Sequence, residues 1–328
     1  MCEELIAHVR KNEDGTWAAP HKLLAHLEDT AKRAEMNANK FQSGEWGKAA
    51  GLAHDAGKGR AEWQRYLKIK SGYDEEAHLE GKAGKVPHAI FGAKLGEELF
   101  GKQTGRLLAY CIAGHHAGLP DWSSAEGAGQ SSLQFQEMQV KQLEDIDKSI
   151  IDIIGSARPT VPPWKFSEGL DLSLWIRMLY SCLVDADFLD TELYMNQEKA
   201  DNRGAYCSIQ ELLIRFNNYI NKLDISSEDT RVNAIRREIR TKCVQMASED
   251  QGIFSLSVPT GGGKTLSSLA FALEHAIKHK LDRIIYVIPY TSIIEQNADV
   301  FRNAVGEDQV IEHHSNLEEN DSTPKSRL

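Results

Sequence analysis

The chain begins with helical rather than alternating patterning. In HKLLAHLEDTAKRAEMNANKF, apolar residues recur at Leu24, Leu27, Ala31, Ala34, Ala38 and Phe41, which predicts one amphipathic helix with a single buried stripe. Residues 48–56 are rich in helix formers and stop at Gly57 and Gly59, after which Trp63, Tyr66 and Leu67 begin another helix. Further helical patterns cover 89–99, 106–117 and 172–191. No strand-like alternation interrupts them, so this first part is predicted to be all-helical. The Gly-, Ser- and acid-rich stretch 121–132 and the Pro-rich SARPTVPPW at 156–164 read as loops.

The pattern then changes twice. Composition turns polar over 192–227, around a further helix at 209–223, and this marks a domain boundary. After a basic helical segment, RVNAIRREIRTKC at 231–243, come an apolar strand pattern at 253–258, a glycine loop, a helix to about residue 280 and a second strand pattern at 283–288. Such a strand–helix–strand unit predicts two parallel strands with a right-handed crossover. The polar end of the chain, ENDSTPKSRL, is predicted to be a frayed tail. The expected fold is therefore multidomain: an all-α helical bundle over 15–195, a helical linker over 196–245, and a partial α/β domain with a parallel sheet over 246–328.

Composition narrows the function. With 41% hydrophobic and 26% charged residues in 328, the chain has the profile of folded domains rather than disorder. No apolar run is long enough for a membrane span, and the first twenty residues lack a signal-like stretch, which points to the cytoplasm. The five cysteines, Cys2, Cys111, Cys182, Cys207 and Cys243, form no CxxC pair, so neither a disulfide framework nor a thiolate zinc site is expected. A net charge of −10 argues against a protein that coats nucleic acid, leaving DNA contact local or partner-assisted. Of twelve histidines, eight fall within the first 116 positions, which favours a metal there.

The candidate ligands sit on separate helical segments: His26 on the first helix, His54-Asp55 in LAHDAGK with Lys58 one turn later, His88 in VPHAIFGA, the doublet His115-His116 in IAGHHAGL, and an acidic pair in LVDADFLDTE. Singly each has an ordinary reading: His88 as a surface residue at a helix start, His115-His116 as a C-terminal cap, His54-Asp55 as a common dipeptide. Together, one ligand per helix is how a bundle converges side chains on an interior point. Asp187 falls on the apolar face with Ile176, Leu179, Tyr180 and Leu183, where an ion would relieve the cost of burying a carboxylate. The competing assignment makes Asp185 the ligand and Asp187 part of a core polar network.

HLEDTA, AHDAGKG, PHAIFGA, AGHHAGL and DADFLDTE, in that order over roughly 20–192, resemble the HD superfamily of metal phosphohydrolases. The longer histidine set is similar to the HD nuclease domain of the CRISPR-associated nuclease-helicase of type I systems. The resemblance implies two divalent ions, one held by His26, His54, Asp55 and Asp187, the other by Asp55, His88, His115 and His116. It also implies hydrolysis of single-stranded DNA delivered by an RNA-guided surveillance complex, with Asp55 and Lys58 as catalytic residues. Nitrogen-rich ligation favours Mn, Fe, Co or Ni over Mg. His8, His21, His78, His275, His279, His313 and His314 match no family position and are expected at the surface.

The loop SLSVPTGGGKT carries Thr260, Gly261, Gly262, Gly263, Lys264 and Thr265 between a strand pattern and a helix. Backbone N–H groups there cradle phosphates, Lys264 reaches the terminal groups and Thr265 meets Mg²⁺, so the expected ligand is ATP. Val258 stands where the stricter motif has glycine, a departure that matches the PTGxGKT variant of superfamily-two helicases and implies a RecA-like domain. Thr291 and Ser292 in IPYTSIIEQN are either phosphate contacts or a helix N-cap, and Arg236, Arg237 and Arg240 either touch DNA or adenine or form a solvated face. Nothing after Thr265 reads as a Walker B strand, so efficient ATP hydrolysis and unwinding are not expected, and the chain reads as the N-terminal piece of a longer nuclease-helicase. The alternatives to a nuclease are a one-ion nucleotide phosphohydrolase with a regulatory nucleotide site, and a catalytically silent binding fragment.

Overall fold

The computed structural model describes residues 4–73, 86–123, 131–140, 143, 145–159, 162, 165–167, 169–201 and 206–314. Cys2, His78 and the tail from 315 lie outside the described residues, as do parts of the loops at 121–132 and 156–164. The chain divides into two compact units, Met1–Ala200 and Asp201–Leu328.

The first unit opens with a short antiparallel hairpin, β1 (Ile6–His8) and β2 (His21–Lys22), in which His8 faces His21 across the strands. This departs from the all-helical expectation: strands of three and two residues are too short to show an alternating pattern. Among the described residues the hairpin is followed by α1 (Leu23–Ala38), α2 (Gly44–Ala53), α3 (Ala61–Ser71), α4 (Ala89–Gly114), α5 (Leu133–Gln139), α6 (Lys148–Ile154) and α7 (Gly169–Met195). The patterns at 89–99 and 106–117 meet in α4, which bends at Gly101, where φ is 79°. Of the predicted stripe, Leu27, Ala31, Ala34 and Ala38 are buried as the spacing requires, whereas Leu24 is 38% exposed with Leu23 buried in its place, and Phe41 lies beyond the end of α1.

Small residues let α2 lie unusually close to α1. A Cβ added at Gly51 would stand 2.4 Å from Ala31 Cα, and one at Gly47 would stand 2.4 Å from the Ala34 carbonyl oxygen. The core continues through Trp46, which meets Trp175 of α7 edge to face at 4.8 Å, and through Leu108, Ile112, Leu179 and Leu183. Short α8 (Gln197–Asp201) ends the unit.

In the second unit, α9 (Ile209–Ser226) starts with a capping box between Ser208 and Glu211 and is followed by α10 (Arg231–Met246), α11 (Lys264–His279) and α12 (Thr291–Val305). Phe216, Ile220, Leu269, Leu273, Phe301 and Val305 form its core. The expected RecA-like parallel sheet is not found. Segments 253–258 and 283–288 pair with no strand, and the sheet among the described residues is the two-stranded antiparallel hairpin of the first unit. The reason is visible in their surroundings: Ile253 is 104%, Ile285 76% and Val287 90% exposed, so nothing covers the faces that a parallel sheet must bury.

Candidate metal centre

The ligand candidates converge because of where the helices end. His26 lies on the buried face of α1 between Leu23 and Thr30. His54 is the C-cap of α2, Asp55 follows it, and a tight turn over Ala56–Gly59 brings Lys58 back beside Asp55. His88 occupies the N-cap of α4 and His115 its C-cap. Asp187 and Asp190 stand one turn apart on α7.

Asp55 is the hub. One of its carboxylate oxygens lies 3.3 Å from His26 Nε2 and 3.4 Å from His54 Nε2. The other lies 3.2 Å from His88 Nε2 and 3.5 Å from His115 Nε2. Asp187 Oδ1 is 3.5 Å from both His26 Nε2 and His54 Nε2. His116 Nε2 is 2.9 Å from His88 Nε2. Two groups result whose ligand atoms all lie within 4.8 Å of one another: His26, His54, Asp55 and Asp187, and Asp55, His88, His115 and His116. Asp185 is exposed and accepts a hydrogen bond from Asn37 at 3.0 Å, outside both groups.

Three of the rings are aimed by their other nitrogen. The Nδ1–H groups of His54 and His115 donate to the carbonyls of Gly51 (2.8 Å) and Ile112 (2.7 Å), three residues earlier in the closing turns of α2 and α4. His26 Nδ1–H donates to Asp190 at 2.7 Å. Each bond fixes the ring with Nε2 pointing toward Asp55, the nitrogen left to coordinate once any proton on it is displaced. For His115, capping and ligation are thus one arrangement rather than competing readings. The buried atoms His54 Nε2, Asp55 Oδ1 and His115 Nε2 make no hydrogen bond. Buried polar atoms without partners are costly, and a cation among them, taking the place of any proton on His54, would satisfy all three, so the donor set fits a divalent metal.

The electrostatics agree. Burial alone would raise the Asp55 carboxyl, yet Lys58, His54 and His88 hold it well below the usual carboxylate range. Burial likewise opposes the lowering of Asp187, and His54 overcomes it. Burial disfavours the His54 imidazolium, but Asp55 and Asp187 outweigh it and lift the ring to about 10, so binding a cation there displaces a proton. Burial brings His88 to about 3 and His116 to about 4, leaving both neutral lone-pair donors at pH 7.

Lys58, which the resemblance makes a catalytic residue, is buried. Its ammonium donates to Asp55 at 2.6 Å and to His8 Nε2 at 2.9 Å, and lies 5.3 Å over the Trp63 ring. His8 and His21 are not surface residues: the hairpin brings both against the centre, His8 beside Lys58 and His21 3.5 Å from Asp190. Sequence reasoning missed Asp190, His8 and His21. The signal for Asp190 was its spacing, one turn after Asp187. His275 is half-buried and stacks on Phe271, His279 is half-buried and lies 2.9 Å from the Glu249 carbonyl, and the His314 side chain is 6% exposed, so none of the three is a surface residue, whereas His313 is exposed.

In the second unit, Gly261 and Gly263 adopt left-handed φ values of 84° and 81°, and α11 starts at Lys264. Lys264 Nζ donates to the Val258 carbonyl at 2.9 Å and Thr265 Oγ1 to Asn297 Oδ1 at 3.0 Å. Arg236 Nε donates to the Gly261 carbonyl at 2.8 Å, while Arg237 and Arg240 pair with Asp229 and Asp224. Tyr290 holds the N-cap of α12, and no side chain caps that helix.

Comparison with known proteins gives two findings. The family model described as "Type III restriction enzyme, res subunit" matches residues 218–327, so the second unit carries a helicase-type segment. A solved structure titled "Crystal structure of CRISPR-associated protein" is similar in fold, with a TM-score of 0.50 and 16% identity over 89% of this chain and 36% of that one. This chain thus spans about a third of its structural neighbour. No curated protein matches the sequence.

Proposed function

We propose that the first unit is an HD-type, divalent-metal-dependent nuclease that hydrolyses phosphodiester bonds of single-stranded DNA. We place it in CRISPR antiviral defence, with an RNA-guided surveillance complex as partner. The observation that carries this reading is the sharing of one buried carboxylate, Asp55, by two four-residue groups. His26, His54, Asp55 and Asp187 would hold one ion, and Asp55, His88, His115 and His116 the other. Such a pair of ions supplies charge stabilisation at a phosphodiester and acidifies water. The chain's own contribution is orientation: carbonyl and carboxylate acceptors lock His26, His54 and His115, and burial keeps bulk water from the Asp55 side of the cluster. Lys58, held against Asp55, offsets negative charge at the centre.

For the second unit, the reading is an ATP site with Mg²⁺ at Thr260, Gly261, Gly262, Gly263, Lys264 and Thr265. The positive-φ glycines before the helix N-terminus and the helicase-type segment support it. The experiment is direct. The purified chain with Mn²⁺ or Co²⁺ is expected to nick circular single-stranded DNA, and the His54→Ala and Asp55→Ala variants are expected not to; equal cleavage by those variants sinks the nuclease reading. One bound ion per chain instead of two would favour a nucleotide phosphohydrolase.

A further inference from the structure

The hairpin histidines have no place in either four-residue group, yet they join its two ends. Lys58 Nζ has only protons to give, so the 2.9 Å contact makes His8 Nε2 the acceptor. A neutral His8 ring then carries its proton on Nδ1, which lies 3.3 Å from His21 Nδ1 and donates to it. His21 in turn carries its proton on Nε2, 3.5 Å from Asp190 Oδ2. That same oxygen accepts from His26 Nδ1–H at 2.7 Å. Each step follows from the one before, because a neutral imidazole has one donor and one acceptor.

The path is built rather than incidental. His8 and His21 are direct cross-strand partners, so the hairpin register alone sets their spacing. Gln64 ties the hairpin to the Lys58 turn: its side chain accepts from Ile6 N–H (3.0 Å) and donates to the carbonyls of Ile6 (2.9 Å) and Lys58 (2.7 Å). At the other end Tyr194 stacks on His21 at 4.8 Å and donates to the Ala19 carbonyl at 3.0 Å.

We propose that His8 and His21 are positioning residues of the centre, a polar relay of hydrogen bonds closed by the His21–Asp190 contact, which fixes Lys58 against Asp55 at one end and, through Asp190, the orientation and tautomer of His26 at the other. This deepens the metal-centre reading and rests on it. His8, His21 and His26 also place ligand atoms within 4.8 Å of one another. A third cation there would have to displace the Lys58 ammonium from His8 and the Asp190 carboxylate from His26, so the relay is the assignment that leaves every observed contact in place.

Two measurements on the full chain test it. Histidine-selective ¹⁵N spectra of the metal-free protein read tautomers directly: His8 is expected protonated on Nδ1 and His21 on Nε2, and the opposite tautomer at His8 overturns the relay whether or not any metal binds. Titration with Co²⁺, followed by visible absorption and calorimetry, then reads the consequence. His21→Ala and Asp190→Asn are each expected to weaken the His26 ion roughly 10- to 100-fold and alter its absorption bands, with the double variant no worse than Asp190→Asn alone. His8→Asn, which keeps a donor near Nδ1, is expected to retain more Co²⁺ affinity than His8→Phe. Unchanged affinity in folded His21→Ala, fully additive losses, or three Co²⁺ per chain each overturn the proposal. Absence of Co²⁺ binding by the unaltered protein refutes the metal reading and, with it, the positioning role, a result told apart from relay failure by the tautomer spectra.

Discussion

Replacing Asp55 with asparagine keeps the side chain's shape but removes the charge on which both four-residue groups depend. In the metal-free protein this leaves the Lys58 ammonium, buried and 2.6 Å away, without its counter-ion. Removing one partner of a buried ion pair costs about 3–5 kcal/mol, and the lower end applies because the amide oxygen still accepts a hydrogen bond. In a unit of this size about 3 kcal/mol corresponds to a fall of roughly 6–12 °C in Tm. Adding Lys58→Met removes the stranded charge and is expected to restore more than half of that loss while restoring no metal. Asp187→Asn takes a carboxylate from one group only and strands no lysine, so it is expected to lose one ion with a small Tm change. Calorimetric unfolding in chelator, followed by metal counting on the same samples, reads both effects. Two ions per chain in Asp55→Asn, or a Tm indistinguishable from the parent, would refute the reasoning that this carboxylate bridges the groups and neutralises Lys58.

Other consequences follow from the same geometry. The His88 ring, depressed to about 3, takes up a proton in the unfolded chain below pH 6.5 but not in the fold, so stability is lost as pH falls through that window. Between pH 6 and 4.5 this amounts to about 2 kcal/mol, so urea unfolding of metal-free His88→Gln should show that much less acid sensitivity than the parent; equal slopes would contradict it. Gly51→Ala places a methyl 2.4 Å from Ala31 Cα, where no rotamer change relieves it, so α2 must retreat and carry His54-Asp55 with it. The expected cost is about 1–3 kcal/mol in chemical denaturation, with weakened Mn²⁺ binding although no ligand is altered. Lys264→Ala should abolish binding of a fluorescent ATP analogue while leaving Mn²⁺ affinity unchanged; retained nucleotide binding would remove the glycine loop from the reading.

How much of this was legible depended on whether the information was local. The stripe of α1 is a local periodicity, and it correctly buried Leu27, Ala31 and Ala34. The clustering of His26, His54, Asp55, His88, His115, His116 and Asp187 was also readable, because each residue type is unusual at the end or on the apolar face of its own helix. The sheet in the second unit was not, since the apolar patterns at 253–258 and 283–288 describe what a strand would need, whereas a ladder requires partners that those segments do not find. His8 and His21 failed for a related reason. Their strands of three and two residues carry no period, and only the pairing register, a property of two distant positions, brings them together.

That contrast bears on which residues define the centre. A donor set read from sequence fixes which atoms are available, but an imidazole binds through the nitrogen its other hydrogen bond leaves open. At His54 and His115 that choice is made by the closing turns of α2 and α4, within three residues of the ring. At His26 it is made by Asp190, from the far end of the unit. Substituting the carboxylate acceptor therefore perturbs the centre through one residue, whereas the carbonyl acceptors of Gly51 and Ile112 move only with their helices. On the proposed two-ion reading, an ion at His26 should accordingly be the one more easily loosened by point substitution, and one at His115 the more resistant, an ordering that stepwise metal release from Asp190→Asn would show directly.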